Sequence, residues 1–128
     1  MSYYFAKTLP AGFDETLQRV RDVLQQEGFG VITEIDVKST FKAKLGIEFR
    51  KYHILGACNP ARALLALQID DKVGTMLPCN VVVQDAGGGR TEVAAVDPVV
   101  SMMGIDNPSL REAAAEVQRK LRKVIQNL

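Results

Sequence analysis

Two cysteines occur in this chain, Cys58 and Cys79, and each is followed directly by an asparagine, Asn59 and Asn80, in "GACNPARALLAL" and "LPCNVVV". A thiol can act as a nucleophile, as half of a reversible disulfide, or as a ligand for a soft metal. Two carboxylates stand two residues apart in "GVITEIDV", Glu34 and Asp36, and a third, Asp97, precedes a proline. Paired carboxylates can run acid–base chemistry where their surroundings separate their pKa values. His53 is the sole histidine.

These residue types set limits on the chemistry. A zinc site needs three or four ligands. His53 lies five residues before Cys58 in one predicted strand, so the two point to opposite faces. Met102 and Met103 are the remaining soft donors, suited to Cu(I), but the spacing matches no standard signature. No metal, cofactor or catalytic residue is therefore assigned. The candidate ligand-binding set is Glu34, Asp36, Cys58, Asn59, Cys79, Asn80 and Asp97. Each has an architectural alternative. Free cysteines are commonly packed in cores, Asn59 is a favoured helix cap, Asn80 can satisfy backbone groups where a strand begins, and Asp97-Pro98 suits a turn. The carboxylates can sit on any solvated sheet face, and His53 reads as a partly exposed strand residue.

Composition narrows the function classes. At 128 residues, 47% hydrophobic and 24% charged, the chain has the make-up of one ordinary globular domain spanning residues 1–128. Sixteen basic against fifteen acidic residues give a net charge of +1, and tryptophan is absent. That balance supplies neither the electrostatic footprint nor the aromatic platform of a nucleic-acid binder. No stretch approaches the length of an apolar membrane span, and the first residues lack a basic, then apolar, leader pattern. The expectation is a cytoplasmic protein with free thiols and with no nucleic-acid or membrane partner.

The elements that must position the candidates follow from periodicity. "YYFAKTL" alternates and predicts a strand over Tyr3–Leu9. Phe13, Leu17, Val20 and Leu24 mark one face of a helix that Gly28 ends. In "GFGVITEIDV" strict alternation puts Val31, Thr33, Ile35 and Val37 on one face and Ile32, Glu34 and Asp36 on the other. "KSTFKAKLGIEF" predicts a short helix stopping at Gly46, and Glu48–Ala57 a strand. Asn59-Pro60 and Asn107-Pro108 each open a helix, because asparagine caps and proline is preorganised for the first helical position. The second helix carries a stripe of Leu110, Ala114, Val117, Leu121, Val124 and Leu128, with "RKLRK" on its wet face. Strands Cys79–Gln84 and Thr91–Val96 flank Gly87-Gly88-Gly89 as a hairpin; a phosphate loop would instead lead into a helix. Asp97–Asp106 reads as irregular and partly apolar. The predicted fold is α+β: an antiparallel sheet of about five strands, packed against helices on one side, in the order β-α-β-(short α)-β-α-β-β-α.

"GFGVITEIDV", "YHILGACNPARAL", "LPCNVVV" and "VAAVDP" together resemble the family catalogued as domain of unknown function 302, over essentially the whole chain. The resemblance implies a compact α+β domain of the TATA-binding-protein-like class and a homodimer, and it implies no activity. Fold class does not carry function. The expectation is a homodimeric domain that binds a small-molecule ligand or a partner rather than catalysing a reaction, with the Cys-Asn turns and "DPVVSMMG" rimming its cleft. The alternatives are a thiol-dependent enzyme or redox protein using Cys58 with Cys79, and a soft-metal carrier.

Overall fold

In the computed structural model, which describes residues 2–128, the chain runs β1 (Tyr4–Leu9), α1 (Phe13–Gln26), β2 (Gly30–Asp36), α2 (Val37–Leu45), β3 (Tyr52–Cys58) and α3 (Pro60–Ile69). A single 3-10 turn (Val73–Met76) follows, then β4 (Cys79–Gly87), β5 (Arg90–Val96), α4 (Pro98–Ser101) and α5 (Pro108–Gln126). All strand pairs are antiparallel, and the spatial order is β1-β5-β4-β3-β2. The α+β fold expected from the sequence is the fold observed.

The β4–β5 hairpin is the simplest element to derive. Its two central residues, Gly88 and Gly89, both have positive φ, 63° and 76°. A two-residue turn of that kind matches the twist of the flanking strands, and glycine adopts it without steric cost. Along the hairpin Val81 and Val83 stand opposite Ala95 and Val93. All four are fully buried. They share one face with Leu55 and Ala57 of β3, and onto it pack Val20, Val23 and Leu24 of α1 and Leu121, Val124 and Ile125 of α5. Burying each such aliphatic side chain contributes roughly 1.5–3 kcal/mol, so this face dominates the stability.

A second, smaller cluster holds Ala66 of α3, Val73 of the 3-10 turn, Met102, and Leu110 and Ala114 of α5. The two Asn-Pro dipeptides build its frame. Asn107 Oδ1 accepts from Leu110 N at 3.1 Å and Asn59 Oδ1 from Arg62 N at 3.4 Å, so both helices begin on the same device.

Three local expectations change. Strict alternation fails in β2, where the register shifts between Val31 and Thr33. A bulge inserts one residue and exchanges the faces beyond it. Val31 stands opposite Ala57, Glu34 opposite Leu55 and Asp36 opposite His53, so Val31, Glu34 and Asp36 lie on the helix-covered side. Thr33 and Ile35 take the open side. The third strand begins at Tyr52 rather than at residue 48. The preceding residues are tied to α2 instead, through the Phe41–Phe49 ring contact at 5.2 Å and Lys38 Nζ donating to Phe49 O at 3.0 Å. The segment after β5 is not wholly irregular. Asp97 caps the one-turn α4 by accepting from Val99 N at 3.0 Å.

Gly56 is constrained by close approach. A Cβ there would lie against Thr33 Oγ1 and 2.7 Å from Pro78 Cγ. The bulge turns Thr33 toward β3, and Pro78 enters β4 across the same residue, which leaves no room for a side chain.

Candidate functional site

A cavity of about 340 Å³ opens where the two apolar clusters meet. The ends of β3 and β4 supply Ala57, Cys58, Pro78 and Cys79. One wall is α3, through Arg62, Ala63, Ala66 and Leu67; the facing wall is α5, through Leu110, Ala113, Ala114 and Val117. Phe29, Ile32, Asn59, Gly74, Leu77, Pro98 and Met102 complete the lining. The volume exists because alanines face alanines: Ala63 and Ala66 across from Ala113 and Ala114 leave space that larger side chains would fill. Ligand pockets are commonly about 300–1,000 Å³, apolar, with a few placed polar groups.

Of the seven candidate residues, the fold brings Cys58, Asn59 and Cys79 to this cavity. Cys79 stands opposite Ala57, so the two cysteines lie on adjacent strands, one residue out of register. Both are free. Burial pushes the Cys79 thiol up to about 11, and the neighbouring Cys58 adds to the shift. At neutral pH Cys79 is therefore an uncharged thiol. Cys58 is half-buried and immediately precedes the capped start of α3. Met102 shares the lining with both sulfurs, whereas Met103 is 55% exposed.

Glu34 and Asp36 stand elsewhere, as a consequence of the bulge. Glu34 pairs with Arg21 of α1 through Oε1 and accepts from His53 Nδ1 through Oε2 at 2.6 Å. Because an ionised carboxylate only accepts, Nδ1 carries the proton. Asp36 Oδ2 lies 3.6 Å from His53 Nε2, too far for a hydrogen bond. Its main partners are its own helix start, Ser39 N at 2.9 Å and Ser39 Oγ at 2.8 Å. Burial alone would raise the Glu34 pKa, but the hydrogen bonds and charges of Arg21 and His53 outweigh it and hold Glu34 low. Asp36 is held low chiefly by the two Ser39 hydrogen bonds, with His53 adding a little. The ring of Phe13 meets His53 edge-on at 5.1 Å and closes the cluster from α1.

Asn80 lies exposed on the open side of the sheet opposite Gly56, where it lines a second depression of about 410 Å³ with Tyr3, Tyr4, Tyr52, Gln84 and Glu92. The asparagines and the β2 carboxylates do not converge on a shared pocket. Asp97 is buried, and besides capping α4 it accepts from Gln118 Nε2 at 3.1 Å. It fixes α4 to α5, and only its neighbour Pro98 reaches the cavity. Among the described residues, no group of three His, Cys, Asp or Glu side chains is arranged to hold a metal.

One residue and one pairing escaped the sequence reading. Among the described residues Arg62 is the one charged side chain on the cavity wall, and its Nη2 donates to Glu116 Oε1. Its position three residues after the cap places it in the first turn of α3, a signal present in "NPAR". His53 joins Glu34 only through the β2–β3 pairing, which no local pattern announces.

Comparison with known proteins agrees with this architecture. No curated protein matches the chain. A family model described as "Domain of unknown function DUF302" matches residues 5–128. The crystal structure of an uncharacterized conserved protein DUF302 from Bacillus stearothermophilus is 30% identical, covers 98% of each chain and superposes with a TM-score of 0.90. With a family match across nearly its whole length and a solved relative of the same fold, the chain belongs to the DUF302 family.

Proposed function

We propose that the protein is a binding domain whose cavity between α3, α5 and the ends of β3 and β4 takes a small, largely apolar molecule. The observation that carries this reading is the cavity wall itself: about 340 Å³ lined by aliphatic, proline and sulfur side chains, with Asn59 and Arg62 as its polar members. The neutral apolar probe N-phenyl-1-naphthylamine tests it. The expected result is saturable one-to-one fluorescence enhancement by the native protein, lost in Ala113→Phe, which fills the cavity from α5. Unsaturable enhancement, or equal enhancement by both proteins, contradicts it.

A second reading, thiol-dependent chemistry at Cys58, is favoured by one observation: Cys58 and Cys79 share this lining while Cys58 sits at the start of α3. A half-buried thiol in the cavity lining is within reach of a bound electrophile. Substrate-like electrophiles would then label Cys58 stoichiometrically in the folded state; absence of labelling until denaturation removes this reading.

We further propose a cytoplasmic homodimer. Two free thiols suit a reducing compartment. The open sheet face, with Tyr4 44% and Ile35 49% exposed, offers an apolar surface for a second copy. Among the described residues no helix is long and apolar enough to cross a membrane. Light scattering over a concentration series is expected to give twice the monomer mass, falling to the monomer in Tyr4→Lys; a monomer throughout contradicts it.

A further inference from the structure

The cavity lining is chemically uneven. Its most buried part is the core face of the sheet, where Cys79 is 8% and Ala57 1% exposed. Burial keeps the Cys79 thiol uncharged, with a pKa of about 11, so no charge faces a ligand there at neutral pH. The exposed part of the lining is different. Asn59 and Arg62 sit together on the first turn of α3, and among the described residues Arg62 is the one charged group on the wall. Its side chain and that of its partner Glu116 are 33% and 35% exposed, so the pair lies at the boundary between cavity and water.

A guanidinium carries five donors in a planar fork. Here Nη2 donates to Glu116 Oε1, and that is the side-chain partner Arg62 has. Donors remain for a second acceptor, and the fork fits a carboxylate best. Asn59 holds its Oδ1 toward Arg62 N and lays its Nδ2 over Gly28, 3.2 Å from where a Cβ would stand. The cap hydrogen bond holds the amide beside Arg62. A molecule matching these features has an apolar body in the cavity and one carboxylate at Arg62.

We propose that the ligand is an amphipathic monocarboxylate, an aliphatic or aromatic body with a single anionic head that Arg62 recognises. This rests on the cavity-binding reading above and adds the head group. Glu116 then has a specific role. It is the carboxylate already paired with Arg62, and its negative charge offsets the attraction of the guanidinium for the ligand's head.

Calorimetric titration of straight-chain carboxylates and the matching primary alcohols, on the native protein and two variants, tests the proposal. In the native protein each added methylene is expected to tighten binding about fourfold until the cavity is full. At equal length the carboxylate is expected to bind about ten- to a hundredfold more tightly than the alcohol, the scale of a charged hydrogen-bonded contact. Arg62→Met keeps the apolar stem and is expected to bring carboxylate and alcohol to within a few-fold. Glu116→Gln frees the guanidinium and is expected to tighten the carboxylate without changing the alcohol. Should Arg62→Met fail to fold, the Glu116→Gln result still decides. Alcohols and carboxylates binding equally to the native protein, or carboxylate binding weakened by Glu116→Gln, overturns the head-group assignment while leaving the apolar cavity standing. If no member of either series binds, the cavity-binding reading itself fails.

Discussion

At the scale of single residues, environment separates side chains that the sequence presents as equals. Cys58 and Cys79 are each followed by an asparagine, yet one ends β3 just before the capped start of α3 and is half-buried while the other is buried with its pKa raised. A chromogenic thiol reagent applied to folded protein at neutral pH is expected to modify Cys58 first. Cys79 should react at a rate set by unfolding, so Cys58→Ser should remove the fast phase and Cys79→Ser should keep it. The carboxylates give a second expectation. Glu34 and Asp36 have folded pKa values below their ordinary ones, so the folded state favours their charged forms. Their contribution is complete above the carboxylate pKa of the unfolded chain, near about 4, and is lost as pH falls through the lower folded values. Thermal melts between about pH 6 and pH 3 should therefore drop more steeply for the native protein than for a Glu34→Gln, Asp36→Asn double variant. Parallel slopes contradict the assignment.

At the scale of elements, much was legible because local signals agreed with tertiary demands. The apolar spacing of α1 and α5, the Asn-Pro starts and the triple-glycine hairpin all appear where periodicity and turn chemistry put them. The β2 bulge was not legible. A one-residue insertion leaves the letters alternating while exchanging the faces, and what pins it lies on another strand, at Gly56. The candidate set therefore holds Glu34 and Asp36 without His53, which the β2–β3 pairing brings to them. Gly56→Ala is expected to destabilise the fold by about 1–3 kcal/mol in denaturant unfolding, the range for overpacking. A neutral result would mean that Thr33 and Pro78 yield easily. The caps differ in geometry, and Asn107 is closer to its helix amide than Asn59. Asn107→Ala should cost about 1 kcal/mol and Asn59→Ala less, read from the same unfolding curves.

At the scale of the whole molecule, the site is a by-product of how two clusters fail to merge. The sheet face with α1 and α5 forms one core, and α3, Met102 and the first half of α5 form another. Small residues at their junction leave a cavity. Sequence reading placed Cys58 and Cys79 at strand ends near the "DPVVSMMG" segment, and Pro98 and Met102 of that segment do reach the cavity. It could not supply the facing wall, because Ala113 and Ala114 look like ordinary helix formers until α3 is seen across from them. Occupancy of this cavity is the central claim, and ligand-linked stability tests it most directly. A ligand that binds the folded state alone raises stability with the logarithm of its concentration above Kd. Thermal melts of the native protein and of Ala113→Phe in rising 1-octanol make the comparison. The account predicts a concentration-dependent rise in Tm for the native protein and none for the filled variant; equal shifts in both, or no shift in either, would contradict it.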